Sequence, residues 1–254
     1  AKIELGEETK IVKSIKLKPL SKNYSTNKIV SLTMKNLCKT YKDQRTTALN
    51  NVNLTFYQGE LVFIVGKSGS GKTTLLKLLT GLEECTSGEI LYKEIEFDKM
   101  SEIEKAKFRR NNFGLVSQQG NLHPFISVQE NLFLKEIFSK KPDIESTMEN
   151  NIALLDKYHI AHRKDAMPRE ISGGELQRAS IAVSLTNNPS YLFFDEPTAN
   201  LDSELASSIV ATILKLHQSR RLTTLIATHD LSLIPNGSRV VELKDGEVER
   251  NGLK

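Results

Sequence analysis

Leu61-Val62-Phe63-Ile64-Val65 runs straight into Gly66-Lys67-Ser68-Gly69-Ser70-Gly71-Lys72-Thr73, and Thr74-Leu75-Leu76-Lys77-Leu78-Leu79-Thr80 follows before Gly81. The first five residues are unbroken apolar and largely β-branched, which reads as a fully buried strand. Residues 73–80 switch to helical spacing and stop at Gly81. Between the two lies G-x-x-x-x-G-K-[ST], the P-loop pattern. Its glycines let the backbone curl so that successive N–H groups face inward as a nest for an anion. The helix that follows turns its positive end to the same place. Lys72 supplies an ammonium for the β- and γ-phosphates of a nucleotide, and the Thr73 hydroxyl is suited to ligate Mg2+. By average composition the four fixed positions arise by accident in roughly one per cent of chains this long. Here they also stand between strand and helix, the context the chemistry requires. Gly66 through Thr74 are the candidate nucleotide-binding residues.

Tyr191-Leu192-Phe193-Phe194-Asp195-Glu196 is a second buried strand, ending in two acids. An acid at the carboxyl end of such a strand faces a P-loop across the sheet. Asp195 is expected to hold Mg2+ through water, and Glu196 to sit nearer the γ-phosphate and polarise the attacking water. Without the upstream P-loop, the same pair would read as an acidic turn or helix start.

Outward from these stretches, Ser31–Leu37 and Asn53–Tyr57 read as strands, with a turn at Gln58-Gly59-Glu60, and Ile90–Tyr92 follows the turn Thr86–Glu89. Residues 98–160 carry dense charge and helically spaced apolar positions, so they read as a mainly helical insert. Leu222–Ala227 is a further strand, and residues 240–248 form a closing hairpin with Asp245-Gly246 at its turn. Alternating strands and helices argue a mostly parallel sheet with helices on both faces, which takes ligands at the carboxyl ends of its strands.

Ile171-Ser172-Gly173-Gly174-Glu175-Leu176-Gln177-Arg178 carries a second message. Ser-x-x-Glu before an apolar helix is a capping box. That accounts for Ser172 and Glu175 but not for Gly173-Gly174. Glycines at a helix start let a phosphate approach backbone N–H groups, and a second anion site in a chain with one P-loop suggests a site shared between subunits.

At this point the chain resembles the ATP-binding cassette (ABC) ATPases. ISGGELQ is similar to that family's LSGGQ signature and lies just before the Asp195-Glu196 strand. Tyr41 matches the aromatic that stacks on adenine. Gln118, in Phe113-Gly114-Leu115-Val116-Ser117-Gln118, matches the glutamine that senses Mg2+ and water near the transporter contact. Ala199-Asn200-Leu201-Asp202 matches the D-loop, and His229 the switch histidine near the γ-phosphate. The resemblance covers roughly residues 31–250. Lys67 stands where many relatives have proline, Ile171 replaces leucine, and Leu176 replaces a polar residue. None of these departures removes a phosphate, metal or base group.

The resemblance implies an α/β fold: a P-loop NTPase core of mostly parallel sheet flanked by helices, an antiparallel β subdomain and a helical signature subdomain at about residues 98–185. It implies an ATPase domain over 31–254 behind a basic extension over 1–30. Glu196, His229, Gln118 and Lys72 would be catalytic, and Thr73, Gln118 and Asp195 would surround Mg2+. Ser172, Gly173 and Gly174 of a second subunit would cover ATP on the P-loop. The implied protein is a cassette of a homodimer, or of a pair of cassettes, on the cytoplasmic face of the membrane. It would power a separate permease that docks near Gln118–Leu132. Thr86–Glu89, the charged Asp98–Arg110 segment and Asn121–Leu132 look like the branch serving macrolide, peptide and lipoprotein export. The alternative within the family is an ATPase that gates a membrane partner in envelope processes without moving cargo.

Composition bounds the same reading. The 254 residues are 39% hydrophobic and 26% charged, an ordinary globular balance. The longest apolar runs fall far short of the roughly 20 residues a membrane helix needs, so a transport role requires another polypeptide as the pore. No secretion signal is visible. Cys38 and Cys85 have neither metal nor disulfide spacing, as expected of reduced thiols in the cytosol. Net charge is +4, and residues 1–30 carry all of it, with seven lysines against three glutamates. A nucleic-acid enzyme would more often carry its surplus on the folded body, so no nucleic-acid partner is expected. Repair and chromosome ATPases of the family separate P-loop from signature by long coiled coils, which the 98–160 stretch lacks, and translation-factor relatives need two cassettes.

Overall fold

Alternate residues of the strand before the P-loop belong to different cores, which is why that strand is apolar throughout. Leu61, Phe63 and Val65 pack into one hydrophobic cluster and Val62 and Ile64 into the other. The computed structural model describes residues 29–41, 46–137, 144–220 and 222–254. Residues 1–28 of the basic extension lie outside the described residues. The order is β1 (Val30–Thr40), β2 (Thr47–Tyr57), β3 (Leu61–Val65), α1 (Lys72–Thr80), β4 (Ser87–Tyr92), β5 (Ile95–Glu96), α2 (Glu102–Asn112), β6 (Phe113–Val116), α3 (Val128–Ile137) and α4 (Ile144–Lys157). There follow α5 (Gly173–Leu185), β7 (Tyr191–Asp195), α6 (Ser203–Arg220), β8 (Thr223–Thr228), β9 (Arg239–Lys244) and β10 (Glu247–Leu253).

Two sheets form. The central one has six strands in the order β10-β9-β3-β8-β7-β6. All neighbouring pairs are parallel except β10 with β9, which is antiparallel. The second sheet, β2-β1-β4-β5, is antiparallel. Leu75, Leu76, Leu78 and Leu79 of α1 share a core with Leu32, Met34, Leu54 and Phe56 of the small sheet and with Phe193 and Leu225 of the large one. On the other face, α5 and α6 contribute Ile181, Ala182, Ile209 and Ile213 to a core with Leu192, Phe194 and Ile226.

The sheets are tied by aromatic and polar contacts. Tyr92 of β4 meets Tyr191 of β7 edge-on, with ring centroids 4.8 Å apart, and donates its hydroxyl to Leu79 O at 2.7 Å. Tyr191 donates in turn to Ser31 O at 2.9 Å. Arg239 of β9 lies within 3.0 Å of both carboxylate oxygens of the buried Glu60 and packs over Phe56. The β9–β10 hairpin turns at Asp245 and Gly246, both with positive φ of 50° and 81°; such a two-residue turn favours an Asp-Gly pair.

The insert departs from the sequence expectation at one place. Phe113–Val116, inside the stretch read as mainly helical, is a strand paired in parallel with β7. Four apolar residues are too few for periodicity to distinguish strand from helix, and pairing with Tyr191–Phe194 decides it. The first strand is longer than the Ser31–Leu37 reading, running from Val30 to Thr40.

Candidate nucleotide site

Parallel register brings the chemistry to one edge. Val65 lies opposite Thr228, and Asp195 opposite Ala227, so the residues just beyond β3, β7 and β8 emerge side by side. These are the P-loop, Glu196 and His229. Ser117-Gln118 leaves the end of β6, which pairs with β7. They frame a cleft of about 900 Å³ lined by Tyr41, Gly66, Lys67, Ser68, Gly69, Gly71, Lys72, Thr73, Thr74, Gln118, Glu196 and His229.

The loop curls because its glycines allow it. Gly69 and Gly71 have φ of 81° and 102°, a region costly for other residues. A Cβ on Gly71 would stand 2.5 Å from Ala48 O, and one on Gly66 would collide with Leu243 O and Ser70. Ser70 is buried beneath the loop and does not line the cleft. Lys72 is buried and donates to Gly66 O at 2.8 Å and Lys67 O at 3.1 Å. Its ammonium is 3.5 Å from Glu196 Oε1.

Glu196 is held from three sides. Its φ is +50°, strain typical of a functional position. Its N–H donates to Ala227 O at 2.9 Å. Its second carboxylate oxygen accepts from the His229 N–H at 3.3 Å and lies 2.8 Å from His229 Nδ1. That contact engages Nδ1, and the His229 ring is exposed on the wall of the cleft. Asp195 accepts from the Thr73 hydroxyl at 3.0 Å. Burial pushes its carboxyl above the usual value, with the Thr73 hydrogen bond opposing and the Glu196 charge adding to that push.

Tyr41, at the end of β1, donates its hydroxyl to Glu83 at 3.1 Å and lies 3.2 Å from the Thr74 hydroxyl. Glu83 also pairs with Lys77 at 3.0 Å and Lys39 at 3.7 Å. Sequence reading missed Glu83, which sits in an unmarked Glu-Glu turn. It missed Gln177 too, whose side chain donates to Gln118 O at 3.1 Å.

Ser172, Gly173 and Gly174 are not among the residues lining this cleft. The expected capping box is present: the Glu175 N–H donates to Ser172 Oγ at 3.4 Å, and the Ser172 N–H to Glu175 Oε2 at 2.8 Å. Arg163 Nε at 2.9 Å and His162 Nε2 at 3.1 Å meet the other carboxylate oxygen. Burial alone would raise the Glu175 pKa; the hydrogen bonds from Ser172, Arg163 and His162 outweigh it and hold the carboxyl at about 2. Gly174 packs against Leu205, and a Cβ there would come within 2.6 Å of it.

Residues 49–199 match the family described as ABC transporter. The chain is 37% identical over 231 residues to the lipoprotein-releasing system ATP-binding protein LolD of Wigglesworthia glossinidia brevipalpis, covering 89% of this chain and all of that one. It is 37% identical over 215 residues to the macrolide export ATP-binding/permease protein MacB of Campylobacter jejuni, covering 85% of this chain but 33% of that longer protein. Among solved structures, the dimeric ABC transporter cassette MJ0796 aligns with a TM-score of 0.81 at 36% identity, covering 87% of this chain and 98% of that one. The same cassette is also known as a dimer in a post-hydrolysis state with ADP and Pi, at the same similarity. With its P-loop cleft and its Asp195-Glu196 strand end, the chain belongs to the ABC transporter family and is an ATP-binding, ATP-hydrolysing cassette.

Proposed function

We propose that two copies of this chain close on two ATP molecules and drive a separate membrane permease in export. The observation that carries this reading is the convergence of Lys72, Thr73, Glu196 and His229 in one cleft, with Asp195 reached through its bond to Thr73, while Ser172–Gly174 stands outside it at a capped helix start. A helix start with two glycines presents unpaired N–H groups suited to phosphate. A second copy, facing the first, would bring that start over the γ-phosphate. The dimeric state of MJ0796 supports the arrangement.

In this scheme Tyr41 stacks on adenine, its ring steadied through its hydroxyl by Glu83. Gly66 to Thr74 wrap the phosphates, and Lys72 exchanges the Gly66 and Lys67 carbonyls for β- and γ-phosphate oxygens. Thr73 and Asp195 offer two hard oxygens 3.0 Å apart, a donor set that fits Mg2+, which keeps several waters and takes few protein oxygens; Gln118, on the wall of the same cleft, would sense the ion and the water. Bound there, Mg2+ would neutralise charge on the transferring phosphoryl group. Glu196 takes the proton of the attacking water. His229 holds Glu196 through Nδ1 and meets the γ-phosphate through Nε2. Residues 31–254 form the ATPase domain, with the helical subdomain at about 98–185, and residues 1–30 a basic extension.

The permease would dock in a groove of about 960 Å³ beside Gln118, lined by Leu82, Ile103, Leu122 and Leu134 among others. Ile103 is 70% exposed and Leu82 54%, and an apolar concavity of this kind marks an interaction site. No described helix is long and apolar enough to cross a membrane; as the ATPase of a separate permease, the cassette would sit peripherally on the cytoplasmic face. LolD and MacB, by their names, serve lipoprotein release and macrolide export, and cargo of that range suits this chain.

Glu196→Gln tests the scheme. ATP binding should persist, hydrolysis should fall by about 10²- to 10⁴-fold, and size-exclusion chromatography with ATP should show a trapped dimer. Hydrolysis at the parent rate would remove Glu196 as the base.

A further inference from the structure

The Gln118 turn is bolted to the helix whose start is the signature. Ser117 O accepts from the Gly120 N–H at 3.1 Å, closing a turn, and the Ser117 hydroxyl donates to Gly120 O at 2.9 Å. Asn121 braces it with bonds to the Ser117 N–H and to Leu115 O. The turn rests on α5. A Cβ on Gly120 would meet Ser180 Oγ at 2.8 Å and Leu176 at 3.2 Å. Between those positions on the same helix stands Gln177, 3% exposed. Its Nε2 donates to Gln118 O at 3.1 Å and lies 3.5 Å from Ser117 O. Both partners are carbonyls, so the amide nitrogen must face them. Its Oε1 is buried and has no hydrogen-bond partner among the described residues.

A buried, half-satisfied amide is costly, and an apolar side chain of similar size would avoid the cost. Stability therefore does not explain a glutamine here; the grip on the turn does. From this geometry we infer that Gln177 is a positioning residue: it sets the backbone of Gln118, and so the reach of the Gln118 side chain into the cleft, from the body of α5. In the closed dimer of the proposed function, on which this inference rests, the start of α5 covers the partner's ATP while its middle holds this chain's Gln118. One rigid helix then joins the two nucleotide sites, and Gln177 is the link.

The test compares Gln177→Leu and Gln177→Glu with Gln118→Ala and with the double variant Gln177→Leu/Gln118→Ala. Gln177→Leu should keep or raise Tm and bind a fluorescent ATP analogue as the parent does. Its kcat should fall by about ten- to a hundredfold, the scale of a small misplacement of a site group, with KM little changed. Gln177→Glu, which sets a carboxylate against two carbonyls, should lose activity as well. In the Gln118→Ala background Gln177→Leu should add no further loss, because the group it positions is gone. Multiplying losses in the double variant, or parent kcat in Gln177→Leu, would overturn the inference. Should either Gln177 variant lose Tm heavily, Gly120→Ala perturbs the same contact from the turn side and should reproduce the kcat loss; a Gly120→Ala protein with parent kcat overturns the inference. Failure of the dimer reading shows elsewhere: parent ATPase per chain would then be independent of chain concentration, whatever the Gln177 variants do.

Discussion

At the scale of single residues, the site is a set of charges that hold one another in place. Lys72 sits between two P-loop carbonyls and Glu196, and Glu196 in turn holds His229. An ammonium so placed is ready to trade carbonyl oxygens for phosphate oxygens. Lys72→Ala should weaken nucleotide binding by about 1.5–3 kcal/mol, or about ten- to a hundredfold in Kd, the range for hydrogen bonds to charged groups. Equilibrium titration with a fluorescent ATP analogue measures it, and unchanged affinity would remove the P-loop assignment. The role of Glu83 is of another kind. It touches Tyr41, Lys39 and Lys77 at once, and nothing in Glu83-Glu84 as text distinguishes it from a solvated pair.

At the scale of elements, the two jobs proposed for α5 belong to its start and its body. Ser172 is the N-cap, and its loss to alanine should cost about 1 kcal/mol of stability, read as a fall in urea midpoint. The same variant should bind nucleotide normally on the P-loop and lose ATP turnover, since in the proposed dimer the cap would act on a partner's site. Normal turnover would separate the signature from catalysis. Glu175 adds a pH dependence. The folded protein holds its carboxyl at about 2 against an ordinary 4.5. The capping network is therefore fully stabilising above pH 4.5 and is lost as pH falls toward 2. Glu175→Gln should flatten that part of the stability-against-pH curve; an unchanged curve would mean that other carboxylates dominate it. Lys135 of α3 closes the far end of the helix, donating to Val183 O and Ser184 O, and burial lowers its pKa to about 8.

At the scale of the whole molecule, the parallel sheet gathers the chemistry on one edge and leaves an apolar groove beside the helical region, the surface proposed for the permease. The two surfaces meet at the turn after β6: Gln118 lines the cleft, and Asn121 and Leu122 line the groove. The proposed docking groove and the nucleotide cleft are thus adjacent. Ile103→Arg, on the groove wall and away from the cleft, should leave basal ATPase unchanged and abolish co-purification with a polytopic membrane subunit in detergent. Persistent co-purification would place the docking surface elsewhere.

Much of this protein was legible along the chain. The P-loop, the acid-ended strand of Tyr191–Glu196, the capping box at Ser172 and the Asp-Gly hairpin are local devices, each written within about ten residues, because phosphate nests, caps and turns are built from neighbouring backbone groups. What only the tertiary structure decided is what depends on pairing at a distance. Phe113–Val116 became a strand because β7 offered it an edge. Glu83 came to brace Tyr41, and Gln177 to grip Gln118, across 42 and 59 positions of chain. A single glutamate or glutamine carries no periodicity of its own, so its meaning arises only when the fold sets a partner 3 Å away.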